Sequence, residues 1–231
     1  MGVLRNTLYL AGIVVAVAVA SHLAFAESRA GTRWVFISMA IPTVVLAIIG
    51  IVRAFQDGVV KDWIAVKGGD FTRGFASAAI LFGGSYVFSK YVTPPTSPQA
   101  VWLARLYDQI GDPAELRKNV GTVVIALVIM AAAEELLWRG FVTSLLEEKF
   151  GSRRAWVYAA ILYALAHLPT AWQLKGATGG PNPVVIFAAL GCGLLWGFMA
   201  RRFGRLLPSF FSHVLFDWTV LMMFRLWGSS I

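Results

Sequence analysis

Apolar runs near 20 residues long recur along the chain, at residues 8–26, 34–52, 74–88, 120–145, 156–167, 184–200 and 206–227. About 20 apolar residues in a helix span the roughly 30 Å hydrocarbon core of a bilayer. The pattern therefore predicts an all-α polytopic transmembrane helix bundle of about seven spans, or eight. The run at 74–88 contains Gly83 and Gly84, and the run at 156–167 is short. The first run follows Arg5 and is longer than the apolar stretch of a typical signal peptide, so it reads as a retained helix. Of the 231 residues, 58% are hydrophobic and 14% charged, with a mean hydropathy of +0.70. That mixture excludes a water-soluble globular enzyme and a disordered chain.

The formal net charge of +8 fits basic loops facing anionic lipid and points away from nucleic acid. If the N-terminus is cytoplasmic, the inside segments hold Arg5, Arg53, Lys61, Lys67, Arg73, Lys149, Arg153, Arg154, Arg201, Arg202 and Arg205. Arg29, Arg33, Lys90, Arg105, Arg117, Lys118, Lys175 and Arg225 would lie outside, mostly in or beside longer loops. This bias predicts a multi-pass protein of the cell membrane with its N-terminus in the cytoplasm. The single cysteine, Cys192, excludes an intrachain disulfide and any multi-cysteine metal site.

Between the third and fourth runs, Ser97 and Pro98 precede Trp102, Leu103, Leu106, Tyr107 and Ile110 at helical spacing. They predict a short interfacial helix capped by Ser97. Asp112-Pro113-Ala114-Glu115 is a capping-box pattern that starts the next helix outside the lipid. The stretch 176–183, rich in Gly and Pro, is a loop. Residues 1–118 then form the N-terminal spans and loop, and 119–231 the catalytic core, within one integral membrane domain.

Polar groups inside apolar runs carry the functional signal. A charge at mid-bilayer costs about 2.5–3.5 kcal/mol on insertion scales, so its default reading is functional. Glu134, Glu135 and Arg139 lie in the fourth run, Tyr163 and His167 in the fifth, and His213 and Asp217 in the seventh. Glu135 and Arg139 have i,i+4 spacing with the acid first, the favourable order for a helical ion pair, which can equally be purely structural. Tyr163 and His167 share a face, as do His213 and Asp217. At 1.5 Å per residue, Glu134 and His167 lie roughly 20 Å from the basic ends of their helices, and His213 and Asp217 roughly 12 and 18 Å. Three helices thus bring ionisable groups to similar depth.

The remaining candidates read as packing. His22 has no polar company in its run, and Cys192 lies between two glycines. Gly193 and Gly197 form a small-xxx-small contact. Ser85, after Gly83-Gly84, has no histidine or acid beside it and makes a poor nucleophile.

A buried carboxylate and an imidazole beside a water molecule can share its proton and release a hydroxide-like nucleophile. A second imidazole on an opposing helix can donate to the oxyanion of a tetrahedral intermediate. A proton- or ion-coupled carrier would use the same residue types.

Glu134-Glu135-x-x-x-Arg139, the aromatic-x-x-x-His ending at His167, and His213-x-x-x-Asp217 resemble the three ordered motifs of the CAAX protease and bacteriocin-processing family. These are multi-span intramembrane endopeptidases related to the CAAX prenyl proteases. The resemblance covers about the last half of the chain. It implies that Glu134 and His167 activate the attacking water and that His213 and Asp217 stabilise the oxyanion. Glu135 and Arg139 would support the site.

Two departures stand out: Tyr163 where the pattern usually has Phe, and Asp217 where many members have Asn. An ionised Asp217 would repel an oxyanion, so it must be protonated, paired with His213, or otherwise employed. The implied substrate is a membrane-anchored or lipid-associated protein segment. No His-Glu-x-x-His occurs, and the reading commits to no metal or other cofactor. Were zinc held, His167, His213 and Glu134 would be its ligands. A carrier relaying protons through Glu134, His167 and His213, or a non-catalytic relative that binds membrane partners, are the rival expectations.

Overall fold

The computed structural model describes residues 2–223, so Arg225 and the end of the seventh run at Trp227 lie outside the described residues. Helix α1 (Gly2–Ala24) and α2 (Trp34–Gln56) are followed by a single turn, α3 (Val60–Trp63), and by α4 (Asp70–Tyr91). Then come α5 (Ala100–Ile110), α6 (Pro113–Lys118) and α7 (Val120–Glu134). The last of these continues through a π-helical stretch, Glu135–Val142, into α8 (Thr143–Phe150). Helix α9 (Ser152–Ala166), the turn α10 (Thr170–Gln173), α11 (Val184–Phe203) and α12 (Leu207–Trp218) complete the order, α12 running into a second π stretch, Thr219–Met223. Among the described residues the only β pairing is an isolated bridge between Gly176 and Gly180.

Over the described residues, every apolar run predicted from sequence falls on a helix. Four segments are long and apolar enough to cross a membrane: Leu4–Ala24, Trp34–Gln56, Val120–Phe150 and Val184–Phe203. Leu207–Met223 is a shorter apolar helix. The two weakest runs fall on α4 and on α9, which has 15 residues and a length of about 22 Å, short of the hydrocarbon thickness. Apolar side chains are exposed on the flanks of these helices, Ile41, Val45, Ile48 and Val52 on α2 among them. In water this would be unfavourable, and in lipid it is the expected face.

The capping expectations separate. Asp112 caps α6, its Oδ1 accepting the Ala114 N–H at 2.7 Å. Ser97 does not cap α5: its hydroxyl donates to the Pro94 carbonyl within a preceding turn. The helix begins at Ala100 behind Gln99 with no side-chain cap. Helix α5 is held by Gln109, whose amide donates to the carbonyls of Ala24 and Ala26. Trp102 Nε1 donates to Gly179 O, and Asn182 Nδ2 donates back to Trp102 O.

Close helix approach follows from small residues. A Cβ on Gly193 would lie 3.0 Å from the Ala160 Cβ, so α11 rests against α9 where the small-xxx-small pattern predicts contact. A Cβ on Gly74 would meet Phe211 at 2.6 Å, which brings α4 against α12. One turn along, Ser212 Oγ donates to Ser77 Oγ at 2.9 Å. At the basic end of the same pair, Arg205 Nε and Nη2 both donate to the buried Asp70 carboxylate. The Leu206 N–H donates to the Trp63 carbonyl. His22 lies against the exposed amide of Gln173.

Candidate functional site

The site begins where α7 changes its winding. From Glu135 to Val142 the ladder widens to π geometry, and every residue of that stretch except Leu136 is buried. Sequence periodicity predicts an uninterrupted α-helix here. In the widened turn the Trp138 carbonyl accepts both the Thr143 N–H, five residues on, and the Thr143 hydroxyl at 2.8 Å. Such π turns occur often at functional sites. Here the stretch presents Leu137, Trp138 and Phe141 to the core formed with Ile13, Val17, Ala47 and Ala159. Its polar residues Glu135 and Arg139 are buried as well, and Glu134 stands at the junction.

The second element is the end of α9. The His167 N–H bonds to the Ala164 carbonyl three residues back, and Pro169 has no N–H to carry the helix on. The imidazole takes the carbonyl of Tyr163, with His167 Nδ1 2.8 Å from it. A carbonyl only accepts, so this bond puts the proton on Nδ1 and leaves the Nε2 lone pair free as a base. The Tyr163 ring meets the His167 ring edge-on at 4.8 Å. Its hydroxyl donates to Glu134 Oε2 at 2.5 Å, joining α9 to α7.

The third element is α12. His213 Nδ1 lies 3.0 Å from Glu135 Oε1, and Nε2 lies 3.5 Å from Asp217 Oδ2 and 3.9 Å from Glu134 Oε2. The ring stacks on Trp196 of α11 at 3.9 Å between centroids. Trp196 is itself fixed by donating from Nε1 to Ser212 Oγ at 2.8 Å. Arg139 Nη1 lies 3.3 Å from Glu135 Oε1, and the guanidinium sits over the rings of Tyr163 and Trp196.

All seven residues singled out from sequence therefore fall in one contiguous cluster drawn from three segments. Their pairing differs from i,i+4 logic in one respect. Glu135 is shared: besides Arg139 it engages His213 across the helix interface. When the carboxylate holds the Nδ1 proton, His213 can donate from Nε2 only as an imidazolium. Asp217 faces that same Nε2 at 3.5 Å and is paired with His213, one of the arrangements the sequence leaves open for it. Sequence reasoning does not single out Trp196, the platform for His213. An aromatic flanked by Gly193 and Gly197 gives no sign of which ring it will meet. Among the described residues no group of three His, Cys, Asp or Glu side chains is placed to hold a metal ion, so the zinc set His167, His213 and Glu134 is not assembled as ligands.

Beside the cluster runs an apolar groove of about 720 Å³. Ile80 and Gly84 of α4, Leu106 of α5, and Gly191 of α11 form part of its wall. Cys192 and Phe216 line it too, and they lie one residue or one turn from Gly193 and His213. The groove thus ends against the helices that carry the site.

An all-helical membrane protein with acids and imidazoles gathered in its interior is the class that fold and site define. Within it, residues 117–219 match the family described as type II CAAX prenyl endopeptidase Rce1-like. That segment belongs to the CAAX protease family, and it contains Glu134, Glu135, Arg139, Tyr163, His167, His213 and Asp217. Comparison with curated proteins and with solved structures finds no match.

Proposed function

We propose that the chain is an intramembrane endopeptidase that hydrolyses a peptide bond of a lipid-bearing, membrane-associated protein with water activated by Glu134 and His167. The observation that carries this reading is the continuous link Tyr163–Glu134–His213–Glu135, which spans three helices. Glu134 Oε1 and His167 Nε2 make no hydrogen bond within the described residues and are the two bases available to water. One of them takes a proton as the water oxygen bonds to the scissile carbonyl carbon. The resulting oxyanion accepts from His213 Nε2–H, with the imidazolium held by Glu135 and by Asp217. The proton returns to the nitrogen of the departing amine as the C–N bond breaks, and the site is restored.

The apolar groove supports a substrate whose anchor is a hydrocarbon chain. The family description, a prenyl endopeptidase, names one such chain. The basic end formed by Lys149, Arg153, Arg154, Arg201, Arg202 and Arg205 is the proposed cytoplasmic side of the cell membrane.

Purified protein, tested on a quenched peptide carrying an isoprenoid thioether, should cleave it, and Glu134→Ala and His167→Ala should each lose at least 100-fold in kcat, the scale of acid–base catalysis. Either variant retaining wild-type turnover would remove its residue from the chemistry. Absence of cleavage together with proton or solute flux in liposomes would replace the peptidase by a carrier.

A further inference from the structure

We infer that Tyr163 is a positioning residue for the reaction: its hydroxyl fixes the carboxylate of Glu134 so that Oε2 is held and Oε1 is presented to water. This deepens the peptidase reading above and rests on it.

The argument starts from how Glu134 is placed. It sits at the α-to-π junction, 8% exposed, on a side chain with three rotatable bonds. Nothing on its own helix holds it: Glu135 turns to Arg139 and His213. Among the described residues its one hydrogen bond is the 2.5 Å bond from Tyr163 Oη to Oε2. The other groups around the pocket are His213 and Asp217 on α12, His167 after α9, and Glu135 and Arg139 on its own strand of helix. Of the nitrogen-bearing groups among these described residues, only His213 comes within 4 Å, its Nε2 at 3.9 Å and toward the same Oε2. Oε1 is left as the free oxygen.

Tyr163 is in turn held on several sides. Its ring packs at 5.1 Å from Trp138 and 4.8 Å from His167, with the Arg139 guanidinium 4.8 Å away over its face. Its carbonyl fixes the His167 ring. One residue thus sets the orientation of both water-activating groups, the acid through its hydroxyl and the imidazole through its backbone. Only the first of these can be removed by substitution without touching the second. Phenylalanine keeps the ring and the carbonyl and deletes the donor.

A hydrogen bond to a charged group, expressed fully in the transition state, corresponds to about ten- to hundredfold in rate. Tyr163→Phe should therefore lower kcat by about tenfold or more, with KM within twofold of wild type. In parallel, thermal melts of Tyr163→Phe, Glu134→Ala and the double variant test the bond without any substrate. Coupled melts, with the double variant melting close to the lower single variant, together with a loss in kcat at unchanged KM, are the expected result. Additive melts overturn the contact. Coupled melts with unchanged kcat reduce Tyr163 to packing and overturn its positioning role. Coupled melts in a wild type that cleaves nothing would leave the bond standing but remove the peptidase reading, and with it the role.

Discussion

Arg139 shows what a single side chain contributes here. It is buried, its Nη1 lies 3.3 Å from Glu135, and two aromatic rings cover its faces. Removing one member of a buried pair is destabilising by about 3–5 kcal/mol, because the other charge is left uncompensated. Arg139→Ala should therefore lower the melting temperature as well as activity, and a melt identical to wild type would show that the pair carries no stability. Arg139→Lys should restore only part of the loss, since an ammonium cannot spread flat between Tyr163 and Trp196 as a guanidinium does. These residues were legible in sequence as charges inside apolar runs. What each one touches was not. Spacing along one helix pairs Glu135 with Arg139 and His213 with Asp217, and both contacts occur. The bonds from Glu135 to His213 and from Tyr163 to Glu134 cross between helices 78 and 29 residues apart, and no periodicity reports them.

Helices were legible because bilayer-length apolar runs admit little else, and their ends were less so. Ser97 and Pro98 carry a start signal, yet the Ser97 hydroxyl is satisfied by Pro94 and the helix waits until Ala100. The π stretch after Glu134 has no compositional mark, since Glu135–Val142 would form an ordinary α-helix by propensity. The join of α4 to α12 depends on Asp70 and Arg205, 135 residues apart. The Arg205 guanidinium, helped by the Lys67 N–H, holds the Asp70 carboxyl below its ordinary range against the opposing effect of burial. A depressed folded-state value means that this stabilisation is complete above the unfolded carboxylate range, near pH 4. It is lost as pH falls through the folded value. Melts recorded from pH 7 to pH 3 should fall more steeply for wild type than for Asp70→Asn, with the two curves converging at the acid end. Parallel curves would show that the pair does not couple folding to protons.

At the scale of the whole molecule, the proposed peptidase reading joins the site and the groove in one arrangement: a polar cluster for the bond to be cut and an apolar channel for whatever anchors the substrate in lipid. Their common wall is α11. Gly191 lines the groove, and a Cβ placed there would meet no atom within 4 Å, so a large side chain can enter the channel without disturbing helix packing. Gly191→Phe should therefore fold as wild type does, with an unchanged melt, and occupy space that a hydrocarbon anchor needs. Displacing about 55 Å² of apolar contact, at about 25 cal/mol/Å², amounts to about 1.4 kcal/mol, or tenfold in affinity. The variant should raise KM about tenfold for a peptide carrying an isoprenoid chain and leave KM for the same peptide without the chain within twofold. The cluster is untouched, so kcat should hold for both. Equal loss on the two peptides would mean that the groove does not receive the anchor. Loss of kcat alone would mean that Gly191 acts on the site through Cys192 and Gly193, the next two positions of the same helix.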